Sequence, residues 1–281
     1  MKHARINLIN FAKVPTRSPF RYPGGKTWLI PYVRLWLKKK QAETKELIEP
    51  FAGGAIVSLT AVFEKLVSRI TLVERDEEVA AVWHTILSKE ANWLADRISS
   101  FEVTVASVNA IFKKVPVSTR EKAFATILKN RVNHGGILAP GAGLLKNGEN
   151  GKGLLSRWYP QTLKKRILAI LLVKDKFKFI EGDGLKVMAE NASRKDVLFF
   201  IDPPYTKAGK RLYKYSEIDY EALFELAARC AGDFLMTYDD ASEIRSLAKH
   251  CNFEVKAVAM KSTHHEKKME LLIGRNLDWL P

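Results

Sequence analysis

Val197-Leu198-Phe199-Phe200-Ile201-Asp202-Pro203-Pro204-Tyr205 is the stretch from which the fold of this chain is read. Five large apolar residues in unbroken succession suit a strand covered on both faces, as in a parallel sheet. Two prolines then end the hydrogen-bonded ladder, because neither carries a backbone N–H. Pro204 also keeps Pro203 extended. The turn is therefore stiff, with two acceptors, a carboxylate and a carbonyl, beside an aromatic face. That set matches a planar ring bearing an exocyclic amino group, whose two N–H protons need acceptors and whose face needs a stacking partner. A strand that merely ends in Pro-Pro, with Asp and Tyr incidental, is the simpler reading of the tetrapeptide alone. The rest of the chain decides between the two.

Working outward, apolar runs alternate with helical patterns. Helices are expected over Trp28 to Lys40, Ala55 to Leu66, from about Glu77, Leu185 to Ala189, Asp219 to Cys230 and Ser242 to His250. Strands are expected at Glu46 to Glu49, Ile70 to Val73, Phe177 to Ile180, Asp233 to Thr237 and Phe253 to Met260. Met269 to Gly274 closes the set as an antiparallel strand. Such alternation marks a mostly parallel sheet with crossover helices. From about Ser88 to Trp158 the character changes: helical patterns are followed by a segment, Gly135 to Gly153, dense in glycine and lysine. It reads as an insertion, mainly helical, with a basic loop or hairpin at its tip.

The chain has 281 residues, and Lys+Arg 46 against Asp+Glu 31 gives a formal net charge of +15. A surplus this large predicts a polyanionic partner, most simply nucleic acid, with salt-sensitive affinity. Cys230 and Cys251 form no CxxC pair, so neither a zinc site nor a disulfide framework is implied and a reducing compartment fits. No apolar stretch resembles a signal peptide or reaches the length of a membrane span, so a soluble, cytoplasmic protein is expected.

Further signals fall at expected strand ends, where open α/β sheets bind ligands. Phe51-Ala52-Gly53-Gly54 allows close approach of a ligand to the backbone, although a tight strand-to-helix turn needs the same residues. Glu74 can accept from a ribose diol, or simply begin the next helix with Asp76, Glu77 and Glu78. Asp183 can receive an adenine amino group, or cap a Gly-Asp-Gly turn.

Taken in order, these segments resemble the Dam-type, D12-class DNA adenine-N6 methyltransferases, from about Ser18 to Asn276. Arg21-Tyr22-Pro23-Gly24-Gly25-Lys26 is similar to the family's N-terminal cofactor motif, and Ile48-Glu49-Pro50-Phe51-Ala52-Gly53-Gly54 to its glycine loop. Leu72-Val73-Glu74 matches its acidic strand end, Lys129-Asn130-Arg131 its Asn-Arg element and Gly182-Asp183 its Gly-Asp element. Asp202-Pro203-Pro204-Tyr205 matches its catalytic motif and Glu270-Leu271-Leu272-Ile273 its closing strand. Tyr22 stands where many relatives have tryptophan, Glu74 replaces a common aspartate, and Gly184 occupies a position often filled by phenylalanine.

The resemblance implies a Rossmann-like, S-adenosylmethionine-dependent methyltransferase sheet, mixed and mostly parallel. Residues 1–87 and 160–281 would be its catalytic domain, with 88–159 an inserted target-recognition domain. It implies S-adenosylmethionine as donor, S-adenosylhomocysteine as product and no metal. Asp202 and the Pro203 carbonyl would accept the two amino protons of an adenine turned out of double-stranded DNA, with Pro204 and Tyr205 completing the motif and Tyr205 stacking on the base. Tyr22, Pro23, Gly24, Gly25 and Lys26 would hold the methionine end, Pro50 to Gly54 lie beneath it, Glu74 take the ribose, and Asp183 and Asp202 complete the cofactor site. Asn130, Arg131, Lys146, Lys152 and Arg157 would face DNA. His264-His265 reads as a polar element on the DNA side. The implied setting is a prokaryotic or phage-encoded, nucleoid-associated monomer, with a cognate restriction endonuclease as one partner the family admits. Methylation of cytosine N4, an RNA base or a glutamine side chain is the alternative chemistry, less suited to an aspartate at position 202. A DNA-binding protein with silenced catalysis is the alternative of another class.

Overall fold

Every residue from Val197 to Ile201 is buried, as a strand covered on both faces requires. The computed structural model describes residues 14–21, 25–40, 43–139, 141–148, 151–205, 215, 217–261 and 267–281. The strands are β1 (Glu46–Glu49), β2 (Arg69–Glu74), β3 (Phe177–Glu181), β4 (Val197–Ile201), β5 (Asp233–Asp239), β6 (Glu254–Lys261) and β7 (Lys267–Gly274). They form one seven-stranded sheet in the order β3-β2-β1-β4-β5-β7-β6. The first five are mutually parallel, and β7 runs antiparallel to both β5 and β6. The chain winds outward from β1 through β2 to β3, then returns to start the other half at β4. That reversal opens a crevice at the carboxyl ends of β1 and β4, the place where such sheets bind ligands.

The period-two alternation of strands divides the core. Leu198 and Phe200 of β4 face one apolar cluster; Val197, Phe199 and Ile201 face the other. The second cluster is covered by α8 (Gly184–Glu190), α9 (Tyr220–Arg229) and α10 (Ser242–His250). The first is covered by α1 (Ile30–Lys40), α2 (Ile56–Phe63) and α3 (Glu77–Ile86), followed by α4 (Ala91–Ser100), α5 (Val105–Lys113), α6 (Thr119–Val132) and α7 (Pro160–Leu171).

The segment 88–159 is mainly helical, but it has no core of its own. Leu94 and Ile98 of α4 and Phe124, Ile127 and Leu128 of α6 belong to the same cluster as Leu47, Leu72 and Leu198 of the sheet. Helix α6 packs on α3, and α4 on α7, so this segment thickens one helical layer over the sheet. At its tip, Asn133 and Leu144 form an antiparallel bridge. The expected helix from Trp28 begins instead as a 3-10 turn, Lys26–Leu29, before α1. Among the described residues, no helix is long and apolar enough to cross a membrane.

Candidate active site

One cleft of about 770 Å³ lies over the carboxyl ends of the parallel strands. From the sheet side it receives Glu49 at the end of β1, Glu74 at the end of β2, Asp183 after β3 and Asp202 after β4. Of the expected site residues, Gly25, Lys26, Pro50 to Gly54, Pro204, Arg131 and Arg157 also line it. Tyr22, Pro23, Gly24 and His264-His265 lie outside the described residues.

The glycine loop is held from three sides. Ala52 N–H donates to the Val73 carbonyl at 2.9 Å, Gly53 N–H to Glu74 Oε2 at 2.9 Å, and the buried Trp83 indole to the Gly53 carbonyl at 2.9 Å. Gly184 lies so close to this loop that a Cβ there would sit 2.2 Å from the Pro50 carbonyl oxygen. The phenylalanine common in similar chains cannot replace it without moving Pro50. Asp183 is exposed and caps α8, accepting from the Leu185 and Lys186 N–H groups. The capping reading of its Gly-Asp-Gly turn therefore describes the bonds it makes.

Glu74 Oε1 accepts the N–H groups of Arg75 and Asp76, each at 2.9 Å. Burial nevertheless raises its pKa to about 7, and Asp76 adds to the rise. Glu49, not among the expected site residues, is 4% exposed and accepts from Ser58 N–H at 3.3 Å and from the Ser58 hydroxyl. Burial pushes its pKa to about 8, the Ser58 hydroxyl opposing and Asp202 and Glu74 reinforcing.

Around Asp202 the structure assembles a cluster that sequence reading gave only in pieces. Lys26, expected on the cofactor's methionine end, is buried against the acid: its Nζ lies 2.9 Å from Asp202 Oδ1, 3.0 Å from Glu270 Oε1 and 2.7 Å from the Tyr205 hydroxyl. Burial works against this ammonium, but Asp202 and Glu270 outweigh it and hold its pKa above that of a free lysine. Tyr205, expected to stack on a base, donates its hydroxyl to Glu270, and its ring lies 5.9 Å from that of Tyr238. Thr237 donates to Asp202 Oδ1 at 2.8 Å. Glu270 entered the sequence reading only as part of a closing strand. Its burial raises its pKa, which Lys26 lowers and Asp202 raises again.

Two of the residues expected on DNA are not surface groups. Asn130 is fully buried: it accepts the Arg21 N–H at 2.8 Å and donates to the Arg21 and Gly136 carbonyls at 3.0 and 2.9 Å. Its amide is consumed in tying the N-terminal segment to the tip of the helical layer. Arg131 is 2% exposed and donates to the Pro19 carbonyl. Lys146 and Lys152 are exposed, and Arg157 is half-buried.

No family model matches the chain, and no curated protein sequence does. Solved structures with similar architecture include the rRNA methyltransferase AviRa from Streptomyces viridochromogenes, at 12% identity over 96% of this chain and 94% of that chain, TM-score 0.41. Another is precorrin-6y C5,15-methyltransferase from Geobacter metallireducens GS-15, at 12% identity over 93% and 89%, TM-score 0.38. A third is the B. subtilis tRNA methyltransferase TrmK, at 10% identity over 88% and 66%, TM-score 0.35. The mixed, mostly parallel seven-stranded sheet is a Rossmann-like, doubly wound α/β fold. At these identities and scores the likeness is one of architecture and carries no substrate with it.

Proposed function

We propose that this protein transfers a methyl group from S-adenosylmethionine to N6 of an adenine extruded from double-stranded DNA. The observation that carries the reading is the state of Asp202 at the end of β4. One carboxylate oxygen, Oδ1, is taken by Lys26 and Thr237, in a cleft shared with the glycine loop and Glu74. An acceptor so oriented leaves Oδ2 for an amino group that enters the cleft.

The residues on the other side of the cleft fit the cofactor. Glu74 is a half-buried carboxylate with lone pairs beyond its three backbone bonds, suited to a ribose diol. Gly53 and Gly54 line the cleft, and a backbone without Cβ there lets a cofactor approach the loop closely. When bound, the sulfonium supplies an electrophilic methyl group.

The amino nitrogen of adenine is a poor nucleophile because its lone pair is delocalised into the ring. Asp202 and the Pro203 carbonyl accept its two N–H groups in hydrogen bonds, favouring the rehybridised nitrogen that attacks. Once methylated, that nitrogen gives up one proton to the Asp202 carboxylate and on to solvent. Lys26 fixes the carboxylate, and Tyr205 and Glu270 fix Lys26, so the acceptor is in place before the base arrives. The net charge of +15 supports a polyanionic substrate, and the aspartate at 202 supports adenine over cytosine.

The test is incubation of the purified chain with methyl-labelled cofactor and DNA, followed by mass spectrometry of the nucleosides. N6-methyladenine is expected, and Asp202→Ala should abolish it while cofactor binding by calorimetry persists. Labelled N4-methylcytosine, label in RNA alone, or full methylation by Asp202→Ala overturns the reading.

A further inference from the structure

The wall of the cleft away from the strand ends is built of arginines. Arg131 on α6 and Arg166 on α7 both line the cleft, as do Arg21 and Arg157. Arg131 and Arg166 are pinned to successive carbonyls: Arg166 Nη1 donates to Ser18 O at 3.0 Å and Arg131 Nη2 to Pro19 O. Two guanidinium groups are thereby held by adjacent links of one extended segment. Each has a buried Nε hydrogen with no hydrogen-bond partner. Among the described residues, neither forms an ion pair.

A guanidinium buried to 2% exposure is costly to keep without a counter-charge. The groups acting on Arg131 make the cost larger. Burial first, then Arg166, Arg21 and Arg157, lower its pKa to about 9 against a small opposing effect of Tyr159, with no carboxylate among the causes. Of the acids lining the cleft, Asp202, Glu49 and Glu74 serve Lys26, Ser58 and the glycine loop, Asp76, Asp183 and Asp219 cap helices, and Glu217 lies just before α9. Surface lysines can dissipate charge into water; the buried Arg131, with the half-buried Arg166 beside it, cannot. What relieves the arrangement is an anion delivered with the substrate.

We propose that Arg131 and Arg166, with Arg21 and Arg157 beside them, form a subsite for one phosphodiester of the nucleic-acid strand whose base enters the cleft. The planar, multi-donor guanidinium suits phosphate oxygens. The assignment rests on the nucleic-acid reading given above and adds to it a single, buried contact, distinct from the exposed Lys146 and Lys152. Its role is positional: a phosphate fixed here sets where the adjoining nucleotide falls relative to Asp202. Arg131 would then act on DNA from inside the cleft.

The experiment is a methylphosphonate scan with the full chain. Duplexes carrying one uncharged linkage at successive positions around a methylated adenine are titrated against the wild type, Arg166→Gln and Arg131→Gln. One position should weaken wild-type binding about tenfold, the same linkage should cost Arg166→Gln less than about twofold, and the salt slope of the variant should fall by about 1. Lys146→Gln with Lys152→Gln should lower affinity without erasing the position-specific loss. Because Arg166 forms no ion pair among the described residues, Arg166→Gln should melt no lower than the wild type, which separates a lost contact from a lost fold. If Arg131→Gln fails to fold, Arg166→Gln alone decides. Equal losses at every position in wild type and variant overturn the subsite, even where methylation of DNA is intact. Weakened S-adenosylmethionine binding by Arg166→Gln with unchanged DNA binding also overturns it, since the anion is then the cofactor's carboxylate. A wild type that binds the cofactor but no DNA removes the parent reading as well.

Discussion

Removing the Lys26 ammonium tests the cluster around Asp202 directly. Its side chain is 4% exposed and that of Glu270 is 3%, at an Nζ–Oε1 distance of 3.0 Å. At an effective dielectric constant of about 20, a pair at that distance interacts by roughly 5 kcal/mol. Lys26→Met deletes this and the contact with Asp202, leaving two carboxylates buried together. The expected loss is about 4 kcal/mol near pH 8, the scale for breaking one side of a buried pair. Glu270→Gln keeps the shape but removes a charge, at about 2 kcal/mol. In the double variant the orphaned carboxylate at 270 is gone, so the combined loss should fall short of the sum by about 2 kcal/mol. The pH dependence has a definite sign. Lys26 has a raised pKa, so its own contribution is constant at any pH well below 10.5. In Lys26→Met the Glu270 carboxyl, already raised by burial, loses the cation that lowers it, so the variant's deficit should grow as pH rises from 5.5 to 8. Urea denaturation followed by tryptophan fluorescence at both pH values gives all four corners of the cycle. Losses that add to within about 0.5 kcal/mol, or a deficit flat across pH, refute the coupling.

The Glu74 carboxyl, raised to about 7 from 4.5, makes cofactor affinity pH-dependent: ribose hydroxyls donate to the ionised form, so binding should weaken by up to about tenfold per unit below pH 7. The same raised value favours the protonated carboxyl in the fold, a stability present below pH 4.5 and lost as pH rises through about 7. Calorimetry and melting of Glu74→Gln should lose both trends, and a wild-type affinity constant from pH 5.5 to 8 counts against the role. Gly184→Ala must displace the Pro50 backbone, and should cost about 2 kcal/mol or more in denaturation while weakening cofactor binding. Unchanged values for both show that the loop yields freely. Asn130→Ala leaves the Arg21 N–H and the Arg21 and Gly136 carbonyls without their partner, for an expected loss of about 3 kcal/mol. A loss below about 1 kcal/mol by urea denaturation means that these groups find other partners.

The strands were legible because burial on both faces leaves a continuous apolar run, as in Val197–Ile201, and because the residue ending each run is polar. Asp202, Glu74 and the glycine loop could therefore be placed on one edge of one sheet from sequence alone. The approach of Lys26 to Glu270 could not. It depends on how a 3-10 turn before α1 and an antiparallel strand meet across the sheet, and no local pattern encodes that meeting. Glu270 carried one weak sign, an acid beginning the apolar run Leu271-Leu272-Ile273 on a strand with β-strands on both sides.

The burial of Asn130 and Arg131 was not legible for a related reason. Both entered through the Asn-Arg element of the family resemblance, and the weak apolar stripe of α6 gives no sign of burial. Yet α6 is enclosed by α3, α4 and the turn at Gly153–Arg157, so its polar residues face protein. A buried amide must then spend its hydrogen bonds internally, which Asn130 does completely. A buried guanidinium has more donors than the surrounding carbonyls can use, which leaves the Nε of Arg131 without a partner. Two neighbours on one helix thus diverge through their chemistry alone: the neutral one becomes a strut, and the charged one retains donors for an anion that the fold does not contain.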